Sequence, residues 1–144
     1  RSVSTILKNN TRTSDICARF GGEEFIILAS STTAEAAMCL AEKIRAEVEK
    51  TPIAYGAFTF NITVSIGIAE IPQENYSCSS AMEEGIRAAD CAMYTAKKTG
   101  RNRVVQWSGE RATRHKLMSA GNSTPNHAPI APMSASVCIV DATF

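Results

Sequence analysis

Two glycines and two carboxylates stand side by side in the segment Arg19–Phe25, which reads RFGGEEF. Glycine has no Cβ, so Gly21 and Gly22 allow a ligand to come very close to the main chain. Consecutive side chains of a hairpin point to opposite sides, so Glu23 and Glu24 need not face each other. One can act on a reacting hydroxyl while the other binds Mg²⁺, which prefers oxygen ligands and accompanies phosphates. A charged surface hairpin is the alternative, because acidic residues are common in turns.

Two further groups of residues are informative only in combination. Lys97 and Arg101 lie at the end of a predicted helix and offer a point charge and a planar fork to phosphate oxygens. Cations at a helix C-terminus are also favoured by the helix dipole, by roughly 0.3–1 kcal/mol, without any ligand. Arg12 and Asp15 precede the glycines by a few residues. Taken alone they predict only a surface ion pair, usually worth under about 1 kcal/mol.

Hydrophobic periodicity predicts the elements that must position these residues, in the order α, β, β, α, β, α, β. Capping boxes that begin at Thr32 and Ser80 predict the starts of the second and third helices, and Gly100 fits a helix C-terminus. The glycines between the first two strands are expected to supply a positive φ. The predicted spans are 2–10 for the first helix, 16–20 and 25–29 for the hairpin, a long alternating strand over 58–69, and a last strand over 103–107.

The composition excludes several classes of protein. The 144 residues are 44% hydrophobic and 20% charged with a net charge of +1, which is ordinary for a globular domain and gives no electrostatic reason to expect a nucleic acid polymer as partner. No apolar run approaches the roughly 20 residues of a membrane helix. Five cysteines without C-x-x-C spacing favour reduced, mostly structural thiols and a cytoplasmic location.

The composition changes after Trp107. Residues 108–136, rich in Ser, Ala, Asn, Gly and Pro, are predicted to form a flexible linker or tail. Residues 137–144 are strand-like, and they either begin another domain or dock back as a tail. The chain begins at Arg1 and not at methionine, so we expect it to be either a processed product or a fragment of a longer protein.

Three segments in this order resemble the GGDEF domain of bacterial diguanylate cyclases: RFGGEEF with the following Ile-Ile-Leu, Val64–Ala69, and Ala89–Lys97 with the Gly100–Val104 segment after it. The resemblance covers residues 1–107. It implies an α/β palm-like nucleotidyl-cyclase fold with a central antiparallel sheet. It also implies condensation of two GTP into cyclic di-GMP and two pyrophosphates with Mg²⁺ or Mn²⁺, by two GGDEF domains that meet head to tail.

The resemblance also assigns roles by position. Glu23 would assist the attacking hydroxyl and Glu24 would bind the metal. Gly21 and Gly22 would make room for the nucleotide, and Lys97 and Arg101 would bind its phosphates. Arg12 and Asp15 match an R-x-x-D site at which the product inhibits the enzyme. Lys43 would assist that site at a position where the family often has arginine. Lysine lacks the bidentate fork of arginine, so we expect weaker binding of the product.

The family's first strand, which carries a metal-binding aspartate and lies between the hairpin and the final strand, is expected to be missing from this chain. Its loss would expose two strand edges and halve the site. We therefore expect the isolated chain to be inactive and poorly stable. Two alternatives remain open: a non-catalytic cyclic di-GMP receptor that uses Arg12 and Asp15, and a dimerisation module without a ligand. An aspartate in that strand would favour the enzyme.

Overall fold

The structure is a computed structural model that describes residues 3–71, 79–109 and 134–143. It contains a mixed α/β fold in which helices cover both faces of a mostly antiparallel sheet. The three helices are α1 (Val3–Asn10), α2 (Ala34–Lys50) and α3 (Ser79–Lys98). The strands are β1 (Ile16–Gly21), β2 (Glu24–Ala29), β3 (Ile53–Tyr55), β4 (Phe58–Phe60), β5 (Thr63–Ile71), β6 (Val104–Gln106) and β7 (Ala135–Thr143).

The main sheet has the strand order β1-β2-β7-β5-β6, so the last strand of the chain lies at its centre. Strand β7 pairs antiparallel with β2 on one side and with β5 on the other, and β6 runs parallel to β5. Both expected edges are therefore covered. The expectation of an open gap between the hairpin and the later strands is wrong, because a segment from the other end of the sequence fills that gap.

The two faces of the sheet form separate cores. Helix α2 packs Ala41, Ile44 and Val48 against one face, where Ile66 and Val140 are also buried. On the opposite face α3 packs Ala89 and Met93 against β5 and β7. Strand β7 contributes to both cores because its side chains alternate between the faces. Each of its described side chains is buried, as expected for a central strand covered by helices.

Helix α3 comes very close to β5 at Gly67. A Cβ on this residue would lie 2.0 Å from the carbonyl oxygen of Ala89 and 2.2 Å from the amide nitrogen of Met93. Both are main-chain atoms of the helix, so a side chain at this position would force the helix away from the sheet. Gly67 thus fixes the height at which α3, and the basic residues at its end, lie above the sheet.

Several local predictions need correction. The long strand predicted over 58–69 is divided, because Phe58–Phe60 pairs with Ile53–Tyr55 in a separate two-stranded sheet. The N-cap of α2 is Thr33, whose side chain accepts a hydrogen bond from the amide of Ala36, and not the preceding threonine. Neither Gly21 nor Gly22 has a positive φ, although Gly100 does, at 124°.

The C-terminal strand begins earlier than predicted. Thr32 donates from its amide to the Ser134 carbonyl over 2.7 Å, and Ser136 Oγ donates to the Thr32 carbonyl over 2.9 Å. These two bonds fasten the start of β7 to the end of the hairpin, inside the stretch predicted to be a linker. The rest of that predicted linker, from residue 110 to 133, lies outside the described residues. Among the helices of the described ranges, none has the length and apolar character needed to cross a membrane.

Candidate active site

The hairpin turn places the two adjacent carboxylates differently. Glu23 lies in the exposed turn, whereas Glu24 is the first residue of β2 and is half-buried. Arg19 braces the turn by donating from its guanidinium to the Gly22 carbonyl. The amide of Ala142 donates to the Glu23 carbonyl over 3.2 Å, so the turn is also attached to β7. Glu23 is therefore exposed on a backbone that is held at two points, whereas the Glu24 side chain stands on one face of the sheet at the start of β2.

The two glycines differ in what surrounds them. A Cβ on Gly21 would lie 3.3 Å from Oε2 of Glu24, so the absence of a side chain here leaves room for that carboxylate. A Cβ on Gly22 would meet nothing within 4 Å in the described part of the chain. The main chain at Gly22 is therefore open to a ligand on the side where a Cβ would stand. At Gly21 the same space is next to the Glu24 carboxylate.

Asp141 is the site residue that the sequence analysis missed. It lies directly opposite Glu24 on β2 and directly opposite Ser65 on β5. The three side chains thus form a row across three adjacent strands, on the face covered by α3. Asp141 is only 1% exposed. The signal in the sequence was an apolar run that ends directly in an aspartate, but its distance from the hairpin gave no reason to place the two together.

Lys97 does not project freely toward solvent. Its Nζ lies 2.8 Å from Oδ2 of Asp141, and the side chains are 29% and 2% exposed. This ion pair joins the last turn of α3 to the centre of the sheet. Ser65 Oγ, on the other side of the same row, is buried and has no hydrogen-bond partner among the described residues. The structure therefore brings Glu24, Asp141 and Lys97 together.

The loop after α3 holds Arg101 in an unusual backbone conformation. Arg101 and Asn102 have positive φ values of 59° and 46°. The Asn102 side chain is anchored to α2, donating to Glu49 over 2.7 Å and accepting from Arg45 over 2.9 Å. The hydrogen bond from Asn102, together with Arg45, lowers the pKa of Glu49. These contacts hold the loop while the Arg101 side chain stays exposed.

A separate groove of about 660 Å³ contains the predicted product site. Arg12 and Asp15 both line it, and so do Lys8 and Arg19, two cations that the sequence analysis did not single out. Asp15 accepts a hydrogen bond from the Arg12 amide over 2.8 Å, which closes a short turn. Lys43 is exposed on α2 and is not among the described residues that line the groove. The structure thus groups the first two predicted residues and leaves the third apart.

Comparisons with known proteins show the family of this chain. The family model described as "Diguanylate cyclase, GGDEF domain" matches residues 1–103. The chain belongs to the GGDEF family. Diguanylate cyclase A of Treponema denticola is 44% identical over 103 residues, which are 72% of this chain and 27% of that protein. The response regulator PleD of Caulobacter vibrioides is 36% identical over 107 residues, 73% of this chain and 23% of PleD.

A solved GGDEF structure has the same fold. The GGDEF domain of DgcB from Caulobacter crescentus, in complex with c-di-GMP, superposes with a TM-score of 0.63 at 32% identity. The match covers 74% of this chain and 61% of that one. The matched part of this chain therefore spans about a quarter of the length of these curated relatives and less than two thirds of the solved chain.

Proposed function

We propose that this GGDEF domain condenses two GTP into cyclic di-GMP with release of two pyrophosphates. Family membership supports this reaction, and its relatives include proteins named diguanylate cyclases. The observation that carries the proposal is the pair formed by Glu24 and Asp141 on neighbouring strands. A receptor that has lost catalysis has no need for an aspartate buried at that place. GTP is a cytoplasmic nucleotide, so we also propose a cytoplasmic site of action.

The residues present fit a divalent cation. Mg²⁺ is usually held by one or two carboxylates, several waters and the phosphates of the substrate. Glu24 and Asp141 supply such a pair, and no cluster of three or more His, Cys, Asp or Glu side chains competes with it in the described ranges. Mg²⁺ or Mn²⁺ bound there would neutralise charge on the phosphates during transfer.

The remaining roles fall to groups at the rim of the site. Glu23, exposed on its turn, is proposed to take a proton from a 3′-hydroxyl presented by a second GGDEF domain, which meets this one head to tail. Gly22 offers its open main chain to the nucleotide. Lys97 and Arg101 would bind the triphosphate, where positioning and charge neutralisation supply most of the rate enhancement.

Product inhibition is proposed at the groove of Arg12 and Asp15. The guanidinium can grip a guanine edge or a phosphate, and the carboxylate can pair with the base. Lys8 and Arg19 line the same groove and would add positive charge for a dianionic product. Lys43 would take part only after a movement of its side chain or through a second domain. The solved DgcB domain was crystallised with c-di-GMP.

The experiment is an incubation of the purified protein that carries this chain with GTP and Mg²⁺, with the product separated by chromatography. Glu23→Ala and Asp141→Asn are expected to abolish cyclic di-GMP formation, because they remove a proton acceptor and a metal ligand. Glu35→Ala, on the exposed first turn of α2, is the matched control and should retain activity. Full activity of Asp141→Asn would contradict the proposed metal site.

A second candidate is a cyclic di-GMP receptor, and the groove around Arg12 is the observation in its favour. It predicts that the protein binds cyclic di-GMP in calorimetry but forms no product from GTP. Arg12→Ala would abolish that binding. In the cyclase, the same variant should relieve product inhibition and leave the initial rate unchanged, because neither Glu24 nor Asp141 is among the described residues that line the groove.

A further inference from the structure

The ion pair of Lys97 and Asp141 lies where the proposed cation would bind. The Asp141 side chain is 2% exposed, and an ionised carboxylate at such a depth is unfavourable without a charge partner. The ammonium of Lys97, 2.8 Å away, provides that partner. Lys97 is itself 29% exposed, and its flexible stem leaves its charged end a route to solvent. Lys97 therefore supplies positive charge directly beside the buried Asp141 carboxylate.

The surroundings of Asp141 offer more oxygen atoms than one ammonium can use. Glu24 lies opposite on one side and Ser65 on the other. Ser65 Oγ is buried without a hydrogen-bond partner in the described part of the chain. Such groups are rare in native proteins, and a place for a water or an ion is one of the explanations for them. Glu24, Asp141 and Ser65 thus offer the oxygen ligands of a hydrated cation site. Lys97 occupies one oxygen of Asp141.

We propose that Lys97 takes the place of the divalent cation before the cation binds, by neutralising Asp141. When the metal binds, the Lys97 side chain leaves Asp141. It is then available to bind the triphosphate. This rests on the proposed function and adds an order of events to it. A divalent cation on the Asp141 carboxylate would lie a few ångströms from the ammonium that contacts Oδ2, and like charges at such a distance repel strongly in a buried site. The released side chain stays near Arg101, four residues further along the chain.

This exchange couples binding of the metal to binding of the nucleotide. Without nucleotide, the metal must break the ion pair and leave Lys97 with no new partner. With nucleotide, the phosphates accept Lys97, so the metal binds more tightly. The coupling must be reciprocal, because it is a free energy between two sites. Removing the ammonium should therefore strengthen metal binding in the absence of nucleotide. It should also reduce the gain in metal affinity that nucleotide causes.

The test measures Mn²⁺ binding by electron paramagnetic resonance, with and without a non-hydrolysable GTP analogue. Lys97→Met is expected to lower the Kd for Mn²⁺ alone by roughly tenfold, within the usual range of such couplings. Lys98→Met is the matched control on the same helical turn, since the Lys98 ammonium lies over the Tyr94 ring, 5.3 Å from its centroid. It should bind Mn²⁺ like the wild type. Equal or weaker binding by Lys97→Met would overturn the exchange.

A second measurement needs no substitution at Lys97 and keeps the proposal testable if that variant folds poorly. Acetic anhydride footprinting of the wild type, read by mass spectrometry, compares Lys97 with Lys98. Mn²⁺ should raise the reactivity of Lys97 alone. Loss of Mn²⁺ binding in Asp141→Asn with no change at Lys97 in the wild type would overturn the exchange and leave the cyclase proposal standing. Mn²⁺ binding that survives Asp141→Asn would overturn both.

Discussion

Strand β7 should be as necessary to stability as any central strand, and Ile139→Ala tests this directly. Ile139 is 1% exposed and faces α3. Truncating a buried isoleucine to alanine loses transfer free energy and leaves a cavity, and typically costs about 2–5 kcal/mol. The free energy of unfolding of a whole domain is only about 5–15 kcal/mol. At about 4 °C per kcal/mol for a domain of this size, we expect Tm to fall by about 8–20 °C.

The matched control makes the same chemical change on the edge strand β1. Ile16 is 59% exposed, so Ile16→Ala should change the free energy of unfolding by no more than about 0.5 kcal/mol. Urea unfolding followed by circular dichroism compares both variants with the wild type. If Ile139→Ala and Ile16→Ala unfold at the same urea concentration as the wild type, β7 does not lie in the sheet, and the assignment of Asp141 to the site fails with it.

Three further predictions address the same architecture. Burial raises the pKa of the Cys138 thiol on β7 to about 12. At pH 8, iodoacetamide should therefore modify the exposed Cys39 and spare Cys138 until urea unfolds the protein. Rapid modification of Cys138 in the native protein would mean that β7 is not docked in the sheet. Gly67→Ala should lower stability by about 1–3 kcal/mol, since its Cβ would lie 2.0 Å from a helix carbonyl; a Tm within 1 °C of wild type, roughly a change below 0.5 kcal/mol, would refute that close approach. Gly22→Ala, with open space around it, should keep the wild-type Tm and weaken binding of a GTP analogue in calorimetry.

The elements that carry strong periodicity were predictable. The pattern of α2, with Ala37, Ala41, Ile44 and Val48 on one stripe, gave a helix that is buried along that stripe. The alternating pattern of β5 correctly predicted that Val64 and its neighbour Ser65 lie on opposite faces of the sheet. The error at Phe58–Phe60 arose because alternation continues across Asn61 and Ile62, and side-chain pattern alone does not show where the main chain changes its pairing partner.

The centre of the sheet could not be predicted from local sequence. A strand buried on both faces is an apolar run without alternation, so β7 carried a strand signal but no sign of its neighbours. The 24 residues between Gly109 and Ser134 separate it from the rest of the fold. Pairing with β2 and β5 is a long-range property that depends on which strands lack a partner. The ion pair of Lys97 and Asp141 follows from that pairing and was equally out of reach.

The buried ion pair at the end of β7 is better suited to chemistry than to stability, and a pair of variants can show the difference. Breaking such a pair from one side typically costs about 3–5 kcal/mol, whereas replacing both members by apolar residues of similar size is often neutral or stabilising by about 1–4 kcal/mol. Lys97→Met should therefore be destabilised, because Asp141 stays buried and charged. The double variant Lys97→Met/Asp141→Leu should recover the wild-type urea midpoint or exceed it, and yet form no cyclic di-GMP. If the double variant were as unstable as the single one, the pair would be part of the structural core, and a purely architectural reason for Asp141 would suffice.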